Sequence, residues 1–200
     1  MRQIVPGPYS ALFRRLRGVH DLGPTTLSEE FIPVLELGNP PLEWSALLNW
    51  REVGVGFELP ASALLPSTVR LVNPATSGIL ALVELVTWVT DGTNNLVMAV
   101  HNTLTTLAVA SSRGFSVDGR LGLEATSYSA CLGSTGNVAP ETGRFYRMVG
   151  TANVPRDERQ VCLLPPGTAL DMGTIGDNVL LRVNLRWRER YAYLDELRLE

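Results

Sequence analysis

Lysine is missing from this sequence altogether: all 17 basic residues among the 200 are arginine. A GC-rich coding sequence is the plain cause, but the consequence is chemical. Schiff-base catalysis and the lysine of a phosphate-binding P-loop are both excluded. Arginine stays charged, forks two hydrogen bonds and stacks on aromatic rings, which suits interfaces. Histidine is nearly absent too. His20 and His101 are the only two, so the clustered histidines of a cupin-type metal centre are not available. HExxH and an Asp-rich calcium loop are also missing. Cysteine occurs twice, at Cys131 and Cys162, outside any CxxC spacing. Two thiols cannot close a structural zinc site unaided. One disulfide is open to them, but buried free thiols are expected in a chain of this length. Neither a metal nor a cofactor is expected.

Long apolar runs are lacking as well. The stretch from Gly78 to Val89 is too short to span a bilayer, and Glu84 interrupts it. The opening residues Met1 to Pro8 contain no apolar leader, and no Asn-x-Ser/Thr sequon occurs. A soluble protein made in a cytoplasm is expected, without a membrane partner. Charge is sparse, at 18% of residues, with a net charge of −3 and a pI near 5.5. That balance gives no electrostatic reason to bind nucleic acid.

The nucleophile tests also fail. Gly114-Phe115-Ser116-Val117-Asp118 misses GxSxG by one residue and runs into an Asp-Gly hairpin rather than a helix. Neither cysteine sits in a recognisable thiol-dyad context. The one enzymatic arrangement left open is a pair of converging carboxylates, as in a glycosidase. Glu84, Asp91, Asp118, Glu124 and Asp171 are its candidates. No catalytic residue is assigned, and a non-enzymatic protein is expected.

What is present points to a mainly β chain. Residues 1–52 are punctuated by Pro6, Pro8, Pro24, Pro33, Pro40 and Pro41 and read as an N-terminal arm. Ser10 caps a predicted short helix over 10–17, with Leu12, Phe13 and Leu16 on one stripe and Gly18 at its end. A second starts at Pro40-Pro41 and carries Trp44 and Trp50, and 31–37 reads as extended. From residue 53 onward the pattern is β. Asn73 to Gly78 reads as a turn, then Ile79 to Thr90 as a strand apolar on both faces and therefore covered on both. Asp91-Gly92 turns it back into Leu96 to Leu104. A second hairpin is centred on Asp118-Gly119, between 114–117 and 120–127. Residues 131–143 read as a loop. Short strands follow at 145–149 and 161–164, the latter closed by Pro165-Pro166-Gly167. In the last strand, 179–191, Val183, Leu185 and Trp187 alternate with arginines. Seven to nine such strands predict an antiparallel β-sandwich, jelly-roll-like, over 53–200.

Two groups of residues stand out as interface candidates. Arg182, Arg186, Arg188 and Arg190 share a face of the last strand. Four like charges there must be solvated, paired with cross-strand acids, or presented to a partner. Trp44 and Trp50, with Leu12, Phe13 and Leu16, either pack on the chain's own sandwich or anchor the arm on a partner.

Three stretches also carry a resemblance. They are Arg70 to Gly78 with the apolar strand after it, the turn Leu164-Pro165-Pro166-Gly167, and Asn184-Leu185-Arg186-Trp187-Arg188-Glu189-Arg190. Together they resemble small virion proteins of tailed bacteriophages. The resemblance implies a β-sandwich head or tail component, most specifically a capsid decoration (cement) protein. It would act in the virion after assembly in a host cytoplasm. Its partners would be copies of itself, a trimer by preference, and the major capsid protein or other virion proteins. A neck or tail component, and a carbohydrate- or receptor-binding sandwich module, are the alternatives.

Overall fold

The computed structural model describes residues 50–117, 129–140 and 144–192. The helices expected at 10–17 and 40–50, the extended 31–37 and the Asp118-Gly119 hairpin lie outside these residues. Only Trp50 and the 114–117 side of the hairpin fall within them, and Trp50 is not helical.

Eleven strands are described. They are β1 (Arg51–Leu59), β2 (Thr68–Asn73), β3 (Ile79–Thr90), β4 (Asn94–His101), β5 (Ala110–Ser112), β6 (Phe115–Ser116), β7 (Leu132–Gly136), β8 (Arg144–Gly150), β9 (Arg156–Leu164), β10 (Thr168–Thr174) and β11 (Leu181–Tyr191). They form two antiparallel sheets packed face to face, in the orders β6-β1-β11-β3-β9 and β5-β7-β2-β10-β4-β8. This is the β-sandwich that the alternating patterns predict.

The core lies between the sheets. One sheet contributes Val53, Val55, Val83, Val86, Trp88, Val183, Leu185 and Trp187, and the other Val69, Leu71, Leu96, Met98, Leu170 and Met172. The period-2 alternation of β11 delivers Leu181, Val183, Leu185 and Trp187 to this layer, in register with Leu59, Phe57, Val55 and Val53 of β1. Burying each such side chain is worth about 1.5–3 kcal/mol. On β3, Val83, Val86 and Trp88 face the core, while Leu80 is buried on the opposite face, as a strand apolar on both faces requires.

The outward face of the six-stranded sheet is also closed in part. Arg70 of β2 donates to Asp171 of β10 through Nε and Nη2 at 2.6 and 2.8 Å. Arg70 Nη1 donates to the Thr105 carbonyl at 3.1 Å, and Leu107 N to Ser134 Oγ at 2.9 Å. The segment after β4 therefore crosses this face. At one lateral edge of the sandwich, the Tyr146 hydroxyl of β8 donates to Glu158 of β9 and joins the two sheets.

Four readings are corrected. The hairpin expected at Asp91-Gly92 does not form: β3 pairs with β11 and β9 in one sheet and β4 with β10 and β8 in the other, so the turn carries the chain between the sheets. Residues 131–143 were expected to be a loop, yet Leu132–Gly136 is a strand between β5 and β2. Its glycines serve packing: a Cβ on Gly133 would lie 2.7 Å from the Phe57 ring, and one on Gly136 3.1 Å from Leu107. No strand was expected at Thr168–Thr174, yet β10 lies between β2 and β4. The strand expected at 161–164 begins five residues earlier, at Arg156, and is interrupted by a bulge where Gln160 takes φ +52°.

The turn after β2 and the turn after β9 meet at one residue. Asn73 Nδ2 donates to the carbonyls of Ile79 at 2.7 Å and Leu164 at 2.9 Å, and its Oδ1 accepts from Ser77 Oγ at 2.6 Å. Its own carbonyl accepts from Gly167 N at 2.9 Å. Gly78 and Gly167 take φ +61° and +85°, which only glycine adopts readily. Asn73→Ala leaves two buried carbonyls without a donor. It is expected to lower the unfolding free energy by roughly 2–3 kcal/mol, read as a reduced denaturant midpoint with an unchanged slope.

Candidate functional site

The arginine-lined face of β11 is the natural place to look for function, because β11 sits in the middle of its sheet. Each outward arginine has a particular surrounding. Arg182 Nε donates to Glu58 of β1 at 2.7 Å, with both side chains exposed. Arg186 is bound through Nε and Nη2 to Oε1 of Glu52, a carboxylate only 1% exposed. Arg188 is buried and lies 3.0 Å from Glu84 of β3. Arg190 donates from Nη1 to the Tyr191 carbonyl at 3.0 Å. Cross-strand acids thus neutralise Arg182, Arg186 and Arg188. Burial pushes the Glu84 carboxyl above its ordinary 4.5, and Arg188 opposes the rise. Of the arm anchors, Leu12, Phe13, Leu16 and Trp44 lie outside the described residues, and Trp50 is half-buried just before β1.

The outward residues of this sheet form rows across the strands. One row reads Phe115 (β6), Gly54 (β1), Arg186 (β11), Leu85 (β3). Gly54 leaves the row without a side chain between an exposed aromatic ring and a guanidinium. The result is an open concavity of about 340 Å³ lined by Gly54, Gly56, Leu85, Phe115, Asn184 and Arg186. Asn184 leans over Gly56, with Oδ1 2.6 Å from where a Cβ would stand. The alternation of β11 marked the arginines, but neither the glycines of β1 nor Phe115 stood out in the sequence. The strand expected at 114–117 contains β6, but nothing in the sequence showed that it pairs with β1 and so brings Phe115 beside Gly54.

The other chemistry-bearing residues are placed singly. Glu84 and Asp171 pair with arginines, and Asp91 Oδ1 accepts from Leu180 N at 2.8 Å. Asp118 and Glu124 lie outside the described residues. His101 Nδ1 accepts from Thr103 N at 3.1 Å, while Nε2 lies 3.2 Å from Asp171 Oδ1. Ser116 pairs with Val53 in the sheet. Among the described residues no group of three or more His, Cys, Asp or Glu side chains is placed to hold a metal. Both cysteines are free thiols. Burial pushes Cys162 up to about 12. Cys131 is also raised well above its ordinary value, by burial and by the neighbouring Glu189, and a thiol held protonated is a poor nucleophile.

Neither a family model, nor a curated protein, nor a solved structure matches this chain. The residues themselves must therefore carry any functional reading.

Glu189 is the one acid on the core side of β11. It is fully buried and accepts from Trp187 Nε1 at 3.3 Å and Ser129 Oγ at 3.2 Å. Burial raises its pKa above 4.5, against the opposing pull of Trp187 and Arg51. A raised folded pKa means that the native state holds a proton that the unfolded chain has released. Stability therefore falls as pH rises from the ordinary carboxylate range up to the raised value, then levels off. Glu189→Gln is expected to remove that fall, so that its stability relative to the parent increases from pH 4 to pH 7 in denaturant titrations.

The ion pairs separate by burial. Arg186→Ala strands the buried Glu52 carboxylate and is expected to cost about 2–3 kcal/mol, less than for a fully buried pair because Arg186 is partly solvated. Arg182→Ala removes an exposed pair and is expected to cost less than about 1 kcal/mol, an effect that vanishes in high salt. Equal losses from the two variants would contradict this division.

Proposed function

We propose that this chain is a virion structural protein of the capsid decoration (cement) type, which stabilises a shell by bridging its subunits. The observation that carries the reading is where the exposed apolar side chains lie. Of the exposed large apolar side chains, Leu64, Leu65, Val138 and Val154 lie on loops at one end of the sandwich, while others, among them Phe115, Val149, Leu163 and Tyr191, lie on strands. Leu64 is 85% exposed and Leu65 48%. Exposed apolar side chains gathered at one end of a sandwich are what a contact site needs.

The loops at this end are held, which favours a preformed docking surface over a flexible one. Asn178 N donates to the Ser62 carbonyl at 2.6 Å, and Asn153 N to the Thr90 carbonyl at 2.7 Å. Thr68 Oγ1 donates to the Val138 carbonyl at 2.6 Å, and Ser67 N to Thr174 Oγ1 at 3.0 Å. The resemblance to bacteriophage virion proteins gains spatial coherence as well. Two of its stretches, some ninety residues apart, meet at Asn73, and the third is the central strand β11. In this reading the sandwich is the rigid body, the apolar loop end contacts the shell, and the proline-rich arm extends the contact to neighbouring subunits.

Quantitative mass spectrometry of particles from a producing host tests this directly. A decoration protein is present at a copy number that scales with the shell, whereas a neck or tail protein is present only at the count of a single ring. The double variant Leu64→Asp/Leu65→Asp is expected to unfold at the parent's midpoint yet to lose most of its particle occupancy. Deleting residues 1–50 is expected to abolish incorporation. Absence of the parent chain from particles, or normal incorporation of both variants, sinks the reading.

A further inference from the structure

The concavity on the outward face of the five-stranded sheet has the chemistry of a ligand site that the assembly reading does not use. Its floor is backbone at Gly54. One wall is Phe115, 64% exposed at the sheet edge, and the opposite wall is Arg186 beside Leu85. Asn184 closes one side. Its volume of about 340 Å³ falls within the range of small-molecule sites, roughly 300–1,000 Å³.

Three features decide what such a site takes. The first is charge. Arg186 is bound to Glu52 through Nε and Nη2, so the site has no net cation with which to select an anion. The pairing also fixes the guanidinium in place, with Nη1 left as a donor. The second is exposed polarity. Asn184 is exposed and has no hydrogen-bond partner among the described residues, and its amide offers both donors and an acceptor at the rim. An apolar side chain from a partner protein would cover these groups without satisfying them, which is unfavourable. The third is shape. The concavity is open and shallow, and its only aromatic group stands at one wall. A flat ring with apolar faces and hydroxyl edges meets all three: one face rests against Phe115, and the edges reach Asn184 and Arg186 Nη1.

We propose that the Gly54 notch binds one pyranose unit of a neutral glycan, with Phe115 as the stacking face and Asn184 and Arg186 as the polar contacts. The concavity's open form lets a chain continue beyond the bound unit, so an oligosaccharide fits as well as a monosaccharide. Glu52 acts as a positioning residue, since it holds the guanidinium in its orientation. This inference does not rest on the virion reading and survives if that reading fails.

The test uses the full chain. An array of neutral oligosaccharides built from glucose, galactose, mannose and N-acetylglucosamine is screened, and the best binder is titrated as a free sugar by isothermal calorimetry. Phe115→Ala is expected to weaken binding by about fivefold to tenfold, the size of a lost aromatic stacking contact. Because Phe115 is exposed, the thermal midpoint is expected to stay unchanged. Gly54→Ala offers a second route. The added Cβ would sit 3.6 Å from the Leu185 carbonyl and from Val117, an ordinary contact, so the variant folds while the notch loses its floor. Weaker binding by both variants, with parent-like melting, supports the site. No binding to any neutral glycan in the panel overturns the proposal, as does parent-like binding by both variants. If no sugar binds and Phe115→Ala instead weakens a protein contact, the notch is a protein interface and the proposal falls.

Discussion

A strand carrying four arginines on one face occupies the centre of a sheet, and the rest of that sheet depends on neutralising it. Like charges two residues apart on one strand repel, and burial of Arg188 would be prohibitive without a counter-charge. Glu52 and Glu58 on β1 and Glu84 on β3 supply that counter-charge from the two flanking strands. The same pairing sets the register. Slipping β1 by one residue would carry Glu52 into the core and turn Val53 outward. Electrostatics on the outward face and apolar packing on the inward face therefore select one alignment.

The six-stranded sheet repeats the principle with a single pair. Arg70 and Asp171 are directly opposed across β2 and β10 and are almost fully buried. A buried ion pair adds little net stability over an apolar pair of the same volume, but a misaligned one is strongly unfavourable. Its contribution lies in discrimination between registers. Asn73 performs the equivalent task at the end of the sandwich, where two turns that are remote in sequence share its side chain. Thus three polar constellations, none of them catalytic in arrangement, account for how the sheets align and close.

This division explains what was legible in the sequence. The strands with strong alternation or continuous apolar character, β3, β8 and β11, stand where their patterns put them. So does the turn at Asn73 to Gly78. Strand β4, by contrast, ends at His101 instead of 104 and lies in the opposite sheet from β3. The arginine face of β11 was legible as a feature, but its partners were not, because Glu52, Glu58 and Glu84 lie from about 100 to more than 130 residues away in sequence. Strands β7 and β10 were not legible at all. Leu-Gly-Ser-Thr-Gly has the composition of a turn, and Thr-Ala-Leu-Asp-Met-Gly-Thr places an acid and a glycine mid-strand. Propensity fails in these two cases for one physical reason. A strand's composition reflects what it packs against as much as its backbone preference.

The glycines show this most clearly. Gly133 is small because the Phe57 ring occupies the space of its missing side chain, and Gly173 because Ser67 and Thr68 do, with contacts of 2.7–2.8 Å to a built Cβ. Gly56 yields its space to Asn184 in the same way. Gly54 differs from all of these. A Cβ there would meet nothing closer than 3.6 Å among the described residues, so none of these accounts for its size. A strand glycine loses more entropy on ordering than any other residue. At Gly54 that cost leaves open backbone between an exposed phenylalanine and an oriented guanidinium, the space that the proposed glycan would occupy.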